Sequence, residues 1–243
     1  MNSVCMATYN GSLFIEEQIL SILKQLSLED ELIISDDSSI DNTVQIITNI
    51  NDSRVKLLTQ NKYQDPIQNF QHALKFSSGK FIFLSDQDDI WVDGKYSEMV
   101  NLLDKYDLVI SNSKIVDEHL HVLHPSFFKY FNSGKGILKN MIRSSYYGSC
   151  MAFKKNVLDV ALPFPNTKEI GHDLWIGLVA EIVGTVYFYP KPLLLYRRHS
   201  TAFTPVNVGK SSRTMYQMLR GRLVMLKHVI TFYIKYKLNW KKG

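Results

Sequence analysis

Three carboxylates in the stretch FIFLSDQDDIWVD, residues 81–93, are the first groups in this sequence that could do chemistry. Asp86, Asp88 and Asp89 directly follow an apolar run that is typical of a buried strand. Like charges this close repel one another, so we expect a positive partner. Mg²⁺ binds one or two carboxylates together with substrate phosphates, which suits Asp-Xaa-Asp at a strand end. The alternative is a solvated acidic turn in which Asp89 or Asp93 caps the next helix.

Two further loops place polar side chains after apolar runs. Thr8 and Tyr9 end the first run, and Asp36 and Asp37 end the second. A carboxylate can accept hydrogen bonds from a base imide or a ribose hydroxyl, and a tyrosine ring can stack on a base. Taken alone, each pair is equally suited to capping a helix.

The elements that must position these loops alternate between strands and helices. The runs SVCMA, ELIIS, RVKLL, KFIFL and DLVIS predict strands, and the periodicity predicts helices over 13–26, 66–76 and 93–106. Such alternation predicts parallel crossovers and an α/β layered sheet. Ligands bind at the carboxyl ends of the strands in such sheets, so we expect the loops ATYN, DDSS and DQDD to meet at one edge.

The second half of the chain alternates less clearly. Residues 119–136 are aromatic and irregular, which favours an exposed loop or a lid. YYGSCMAFKKNVL predicts a loop, a short strand and a helix start, and GHDLWIGLVAEIVG predicts a helix. TVYFYPKPLLLYRRHS predicts a pair of strands with a proline-marked turn, and 211–236 predicts a final long helix.

The charge is distributed unevenly along the chain. Residues 1–181 hold 16 Lys+Arg against 23 Asp+Glu, whereas residues 182–243 hold 12 Lys+Arg and no acidic residue. A basic tail on an acidic body favours an anionic partner, either nucleic acid or an anionic membrane surface. No nucleic-acid recognition motif accompanies the charge, so we expect no nucleic-acid partner.

The remaining composition favours a cytoplasmic protein. Cys5 and Cys150 make neither a metal nor a disulfide framework. The N-terminal residues lack the basic start of a signal peptide, and no run of about 18 apolar residues predicts a transmembrane helix.

Several motifs together resemble glycosyltransferase family 2. These are MATYNG…IEEQILSIL, ISDDSSIDNT and SDQDDIW, in this order and spacing, and GHDLW and YRRHS extend the resemblance to about residue 199. SDQDDIW with GHDLW is most similar to the bacterial branch of rhamnosyltransferases and O-antigen or capsule glycosyltransferases. The resemblance implies a GT-A fold, with a Rossmann-like, mostly parallel central sheet flanked by helices. It also implies a catalytic domain over 1–205, with a nucleotide-binding half over about 1–112 and an acceptor-binding half over about 113–205.

The activity implied by the resemblance is transfer of a sugar from a nucleoside-diphosphate donor to an acceptor hydroxyl, with inversion at the anomeric carbon. The implied cofactor is Mg²⁺ or Mn²⁺. The expected donor is dTDP-rhamnose, with UDP-hexoses next, and the expected acceptor is a glycan or a lipid-linked oligosaccharide. A nucleotidyltransferase and a non-catalytic carbohydrate- or membrane-binding module are the alternative functions.

The resemblance also implies a role for each matching residue. Asp173 matches the catalytic base, and Asp88 and His199 match metal ligands. The residues matched to the nucleotide-sugar site are Ala7, Thr8, Tyr9, Glu16, Asp37, Asn69, Asp86 and Gln87. The residues expected at the acceptor are Trp91, Cys150, His172 and Trp175.

Some of these residues have an alternative interpretation. Many relatives have Glu-Asp at the base motif where this chain has His172-Asp173, and Asp173 could instead favour a helix N-terminus electrostatically. His199 could bind anions or solvent, aromatic residues such as Trp175 are more often core, and Cys150 could be a small buried hydrophobe.

The predicted C-terminal extension, residues 206–243, is a basic amphipathic helix with aromatic residues, including Trp240. Such a helix can lie on an anionic leaflet, which predicts a peripheral location at the inner face of the cell membrane. Packing against the catalytic domain and a homodimer contact are the alternatives.

Overall fold

The protein folds around one large sheet with helices on both faces. The computed structural model describes residues 1–59, 61–199 and 214–240. The strands within these ranges are β1 (Ser3–Thr8), β2 (Glu31–Asp36), β3 (Val55–Leu58), β4 (Phe81–Ser85), β5 (Ile90–Trp91), β6 (Leu108–Val116), β7 (Val122–His124), β8 (Met151–Lys154) and β9 (Val186–Arg197). The helices are α1 (Ile15–Leu23), α2 (Thr43–Ile50), α3 (Pro66–Lys75), α4 (Lys95–Leu103), α5 (Phe127–Phe131), α6 (Ile137–Ile142), α7 (Lys155–Ala161), α8 (His172–Val183) and α9 (Met215–Trp240). A short 3₁₀ turn, Gly148–Cys150, precedes β8.

The strand order along the sheet is β3-β2-β1-β4-β8-β6-β9-β5, and β7 pairs with β6. The first four strands in this order pair in parallel, as the alternation predicted. β8 runs antiparallel to both β4 and β6, and β6 and β9 are parallel. The α/β architecture is therefore confirmed, with a sheet that is mixed rather than parallel throughout. β8 runs in this direction because the chain enters it from the 3₁₀ turn, which lies toward the carboxyl end of β4.

The predicted convergence of strand ends is present. Thr8 pairs in register with Asp36 across β1 and β2, and Met6 pairs with Ser85 across β1 and β4. Because these strands are parallel, the loops that follow them leave from the same edge of the sheet.

The helices bury the faces that the periodicity indicated. Ile15, Ile19, Ile22 and Leu23 of α1 are all buried in the main core. Asp65 caps α3 by accepting a hydrogen bond from Ile67 N–H at 2.9 Å, and proline occupies the first helical position, where no N–H is needed. Local sequence signals thus account for these helix positions.

Two predictions for the second half are wrong. β9 is a single strand that stays parallel to β6 along its length, with register shifts near its prolines instead of a turn. Residues 119–136 include β7 and α5, because Phe127 and Phe131 bury themselves with Ile115 in a small second cluster. The predicted boundary near residue 112 falls inside β6, so the two predicted halves share one sheet.

The last described helix, α9, packs against α6 and α8. Its buried residues, Met225 and Val229, belong to the main core. The predicted helix start at residue 211, the boundary at 205–206 and the side chain of Trp240 lie outside the described residues. No helix in the described part of the chain combines the length and apolarity needed to cross a bilayer.

Gly177 of α8 is the point where that helix meets the loop before β8. A Cβ at this position would lie 2.3 Å from Tyr146 Cδ1, and the Tyr146 ring is buried. The Tyr146 hydroxyl also donates a hydrogen bond to Glu181 on the same helix. These contacts fix the start of the segment that leads into Gly148–Cys150.

Gly177→Ala should therefore lower the free energy of unfolding by about 1–3 kcal/mol, although alanine is favoured over glycine within a helix. Urea unfolding measures this change. In a Tyr146→Leu background the same substitution should be neutral or stabilising, because the ring is gone. An equal loss in both backgrounds would show that Tyr146 is not the reason for the glycine.

Candidate functional site

The carboxylate of Asp86 is held by a serine from the 3₁₀ turn. Ser149 Oγ donates to Asp86 Oδ2 at 2.7 Å and accepts from Asp86 N–H at 3.0 Å. Burial, followed by the negative charge of Asp88, raises the pKa of Asp86 to about 7. The loop after β4 and the turn before β8 are thus joined at this carboxylate.

Asp89 joins the same loop to the end of β9. It is fully buried, and its Oδ1 accepts a hydrogen bond from Arg197 N–H at 3.0 Å. Burial raises the pKa of Asp89 well above its usual value, with Asp88 and Asp86 adding to the shift. The predicted capping role is wrong for Asp89, since α4 begins after Gly94. Asp93 is instead an exposed residue paired with Lys24.

A positive partner of the cluster among the described residues is Lys95, the first residue of α4. Its side chain is fully buried, and Nζ donates to the Ser149 carbonyl oxygen at 2.6 Å. The ammonium is close enough to favour the charged forms of both Asp86 and Asp89, and burial lowers its own pKa to about 8. Lys95 therefore offsets part of the repulsion and also anchors the turn that carries Ser149.

Asp88 faces His199 at the open side of the cluster. Asp88 Oδ2 and His199 Nε2 are 2.9 Å apart. Two adjacent ligands of a six-coordinate ion at 2.0–2.1 Å are about 3 Å apart, so this pair fits a Mg²⁺ or Mn²⁺ ion. Among the described residues no group of three such side chains assembles, so the remaining ligands would come from phosphate oxygens and water.

The end of β9 is held over α1. Arg197 Nη2 lies 2.5 Å from Glu17 Oε2, and the Arg197 guanidinium lies 4.5 Å from the centroid of the Phe14 ring. The His199 ring also packs on Phe14, at 4.6 Å between centroids. α1 therefore supports the segment that brings His199 to Asp88.

Gln87 connects the loops after β1 and β4. Its amide oxygen accepts hydrogen bonds from the Thr8 hydroxyl and, at 2.9 Å, from Tyr9 N–H. Its amide nitrogen donates to the Tyr9 carbonyl oxygen at 3.2 Å. A Cβ at Gly11 would lie 2.5 Å from Gln87 Oε1, so a larger residue there would displace the Gln87 amide from this position. Ala7, beside this junction, is partly buried.

The carbonyl oxygen of Thr8 joins two further predicted site residues. It accepts from Asp37 N–H at 3.0 Å and from Asn69 Nδ2 at 3.2 Å. Asn69 Oδ1 is buried and has no hydrogen-bond partner among the described residues, so it can accept from a ligand. The Asp37 carboxylate accepts from Tyr63 N–H at 2.6 Å and so shapes the loop before α3.

Asp173 and His172 begin α8 beside the same 3₁₀ turn. A Cβ at Gly148 would lie 3.2 Å from His172 Nε2 and 3.9 Å from Asp173 Cβ. His172 stacks on Phe70 at 4.0 Å between ring centroids, and burial lowers its pKa. The Asp173 carboxylate is close enough to add to the raised pKa of Asp86. The carboxylates of Asp86 and Asp173 thus both lie beside the 3₁₀ turn Gly148–Cys150.

Three residues expected at the acceptor are buried in the core, and one residue expected at the nucleotide sugar is exposed on α1. Trp91 and Trp175 are core residues: Trp91 packs on Phe83, and Trp175 Nε1 donates to the Ala161 carbonyl oxygen at 2.9 Å. Both side chains are thus buried, and their expected role at the acceptor stays a prediction. Cys150 is also buried in the main core, near Lys95 and Asp89, and its expected role at the acceptor likewise stays a prediction.

Glu16 is the fourth of these residues. It is exposed in the first turn of α1, and its carboxylate makes no hydrogen bond or ion pair to another described residue. Its neighbour Glu17 makes the contact to Arg197 instead. The structure therefore does not bring Glu16 into the cluster.

Three residues of the site were missed by the sequence analysis: Lys95, Ser149 and Tyr147. Tyr147 is largely buried near Asp173, and burial, followed by the charge of Asp173, raises its pKa to about 12. Lys95 sits in the polar stretch VDGK, which is typical of a helix start at the surface. Ser149 lies next to Cys150 in a segment without a polar pattern, so no local signal pointed to Asp86.

The fold belongs to the GT-A class of glycosyltransferase folds. The chain resembles S. aureus TarS 1–349 in complex with UDP-GlcNAc with a TM-score of 0.70 and 19% identity, covering 97% of this chain and 71% of that chain. It also resembles the mannosyltransferase PcManGT from Pyrobaculum calidifontis in complex with GDP-Man and Mn²⁺, with a TM-score of 0.61 and 18% identity, covering 83% of this chain and 58% of that chain. At these identities the likeness establishes the fold alone.

Sequence comparison gives the family. The profile of Glycosyl transferase family 2 matches residues 3–161, and the chain belongs to that family. A UDP-Glc:alpha-D-GlcNAc-diphosphoundecaprenol beta-1,3-glucosyltransferase, WfgD of Escherichia coli, is 35% identical over 74% of this chain and 70% of its own length. The dTDP-rhamnosyl transferase RfbG of Shigella flexneri is 27% identical over 84% of this chain and 75% of its own length. The resemblance to bacterial glycosyltransferases is thus confirmed.

Ser149→Ala tests the link between the turn and Asp86. The substitution leaves the Asp86 N–H and carboxylate without their partner, so the free energy of unfolding should fall by about 1–3 kcal/mol. Urea unfolding measures this. Ser111→Ala is the matched control, because Ser111 is also a buried serine but its hydroxyl has no hydrogen-bond partner within the described ranges. Equal effects of the two substitutions would remove the proposed importance of the Ser149 bond.

Proposed function

We propose that this protein transfers a sugar from a nucleoside-diphosphate donor to a hydroxyl group of a lipid-linked glycan, with inversion at the anomeric carbon. The observation that carries the proposal is that two carboxylates, those of Asp86 and Asp173, lie beside neighbouring residues of one 3₁₀ turn. Asp86 is bound by Ser149, and Asp173 lies beside Gly148, the preceding residue. A donor held at Asp86 and Asp88 would thus present its anomeric carbon near Asp173.

In this mechanism the hydroxyl oxygen of the acceptor attacks the anomeric carbon, and Asp173 accepts the proton of that hydroxyl. The new carbon–oxygen bond forms as the bond to the diphosphate breaks, and the diphosphate leaves with the electron pair. A single displacement of this kind inverts the anomeric centre and needs no protein nucleophile. Asp88 and His199 would hold Mg²⁺ or Mn²⁺, and a bound ion would supply Lewis-acid stabilisation of the leaving diphosphate.

The nucleotide would bind along the ends of β1 and β2. Asn69 Oδ1, a buried acceptor without a described partner, suits the imide N–H of a pyrimidine base. Uracil and thymine share that group, so Asn69 together with Asp37 favours UDP and dTDP donors alike. We place UDP-glucose ahead of dTDP-rhamnose, because the relative with 35% identity is named for UDP-Glc and the rhamnosyl transferase is 27% identical.

The acceptor and the location follow from the same comparison. WfgD is named for a diphosphoundecaprenol acceptor, which favours a lipid-linked glycan for this chain as well. An enzyme that meets such an acceptor and uses nucleotide sugars would work in the cytoplasm, at the inner face of the cell membrane. We extend the proposal to that location and to a role in bacterial surface polysaccharide synthesis.

Donor binding can be tested by thermal unfolding. UDP-glucose or dTDP-rhamnose at about 100 times its Kd, with Mn²⁺, should stabilise the protein by about 2.7 kcal/mol and raise Tm by roughly 5–10 °C. Chelation, or Asp88→Asn, should remove most of this shift, whereas Asp159→Asn, which changes an exposed carboxylate on α7, should leave it. A donor-induced shift that survives both chelation and Asp88→Asn would refute the metal-binding role.

The base can be separated from donor binding. Asp173→Asn keeps the size of the side chain but cannot accept the acceptor proton, so transfer should slow by about 10²–10⁴-fold. The donor-induced change in Tm should stay as in the unchanged protein, and Asp159→Asn again serves as the control. Normal transfer by Asp173→Asn, measured with a lipid-linked acceptor, would exclude Asp173 as the base.

A further inference from the structure

The helix α9 has an inner face that packs on the catalytic domain. Met225 and Val229 are buried in the main core, and the Phe232 ring meets Trp175 of α8 edge-on, with 5.7 Å between centroids. Since helical residues repeat about every 3.6 positions, these residues occupy one side of α9. The helix is thus fixed to the domain instead of extending freely from it.

The opposite side of α9 is also apolar, and it is exposed. Its residues, which we call the outer face, are 40–82% exposed. They are Met215, Tyr216, Leu219, Leu223, Leu226, Ile230, Tyr233, Ile234 and Leu238. From Tyr216 to Tyr233 they recur at alternating intervals of three and four, which makes a continuous stripe about 26 Å long. An exposed apolar surface of this extent marks an interaction site.

Basic side chains flank the outer face. α9 carries Arg220, Arg222, Lys227, Lys235 and Lys237 and no acidic residue, and all five basic residues are exposed. A helix with an apolar stripe bordered by Lys and Arg suits the surface of a bilayer that contains anionic lipids. Tyr216 and Tyr233 within the stripe suit the boundary between headgroups and acyl chains.

The neighbouring helix α6 extends this apolar and basic character. It packs against α9 and exposes Leu138 and Ile142, four residues apart, together with Lys139 and Arg143. Two adjoining helices therefore share the same combination of exposed apolar and basic side chains, which a local accident on one helix would not produce.

A second copy of the chain fits this surface less well than lipid does. Two outer faces packed together would bring the Arg220 and Lys227 flanks of both helices close to each other, and α9 has no carboxylate to pair with them. Anionic headgroups supply the negative charge that a second copy lacks.

We propose that the outer face of α9 binds the protein to an anionic lipid surface and holds Asp173 close to that surface. Trp175, two residues after Asp173, contacts Phe232 on the inner face of α9. Because the axes of packed helices are about 8–10 Å apart, the start of α8 would be separated from the lipid surface by α9 alone. This inference rests on the proposed function only for its purpose, which is to bring the base to a lipid-linked acceptor.

Binding is tested with the full chain, without donor or acceptor. The unchanged protein should float with vesicles of phosphatidylcholine and phosphatidylglycerol but not with phosphatidylcholine alone. Leu223→Gln/Leu226→Gln/Ile230→Gln should abolish flotation, and Arg220→Gln/Arg222→Gln/Lys227→Gln should weaken it about a hundredfold. The control Leu28→Gln/Phe76→Gln/Leu123→Gln changes three exposed apolar residues outside α9 and should float normally.

Two results would overturn the proposal. One is undiminished flotation of the Leu223/Leu226/Ile230 variant. The other is light scattering that shows a dimer of the unchanged protein, dissociated by the same variant, with no flotation of either. Circular dichroism and Tm confirm that the variant is folded, since its changes lie on the exposed side of the helix.

A transfer assay separates this inference from the proposed function. With a long-chain acceptor in anionic vesicles, the Leu223/Leu226/Ile230 variant should lose most of the transfer rate of the unchanged protein. With a short-chain, water-soluble analogue it should match the unchanged protein. Flotation without transfer by the unchanged protein would reject the proposed function but not lipid binding by the outer face. Equal transfer rates of the variant and the unchanged protein on vesicles would reject lipid binding by the outer face.

Discussion

The site depends on placing carboxylates close together inside the protein without letting their repulsion separate the elements that carry them. Asp86, Asp88 and Asp89 lie in one loop, and the charges of Asp88 and Asp86 both raise the pKa of Asp89. The fully buried ammonium of Lys95 opposes that repulsion from below. Since a buried charge needs a partner and hydrogen bonds, Lys95 and the carboxylates stabilise one another only in this arrangement.

The same interaction joins the two predicted halves of the chain. Lys95 donates to the Ser149 carbonyl, and the Ser149 hydroxyl binds Asp86, so the 3₁₀ turn from the second half is fixed to a loop of the first. The turn then directs β8 back between β4 and β6, which makes the sheet mixed and continuous. Gly148 of that turn also lies beside Asp173 of α8, whose charge adds to the raised pKa of Asp86. Fold and site are therefore consequences of one small set of contacts.

The two-sided character of α9 connects this site with the surroundings of the protein. Phe232 faces the domain and packs on Trp175, while Leu223 and Ile230 face outward. The hydrophobicity of the α9 sequence is the same whichever face is buried. The face that packs on the domain stabilises the fold, and the face that stays exposed is available to a partner.

The sequence alone determined the alternation of strands and helices, the buried face of α1 and the meeting of the loops after β1, β2 and β4, because periodicity and strand direction are local properties. It also determined the family, since the motifs lie within those loops. Only the tertiary structure decided that Lys95 and Ser149 support Asp86, that Trp91 and Trp175 are core, that β9 is one strand, and which side of α9 is exposed. The reason is that burial, pairing and exposure are set by residues far apart in the chain, and no local pattern records which distant partner a side chain will meet.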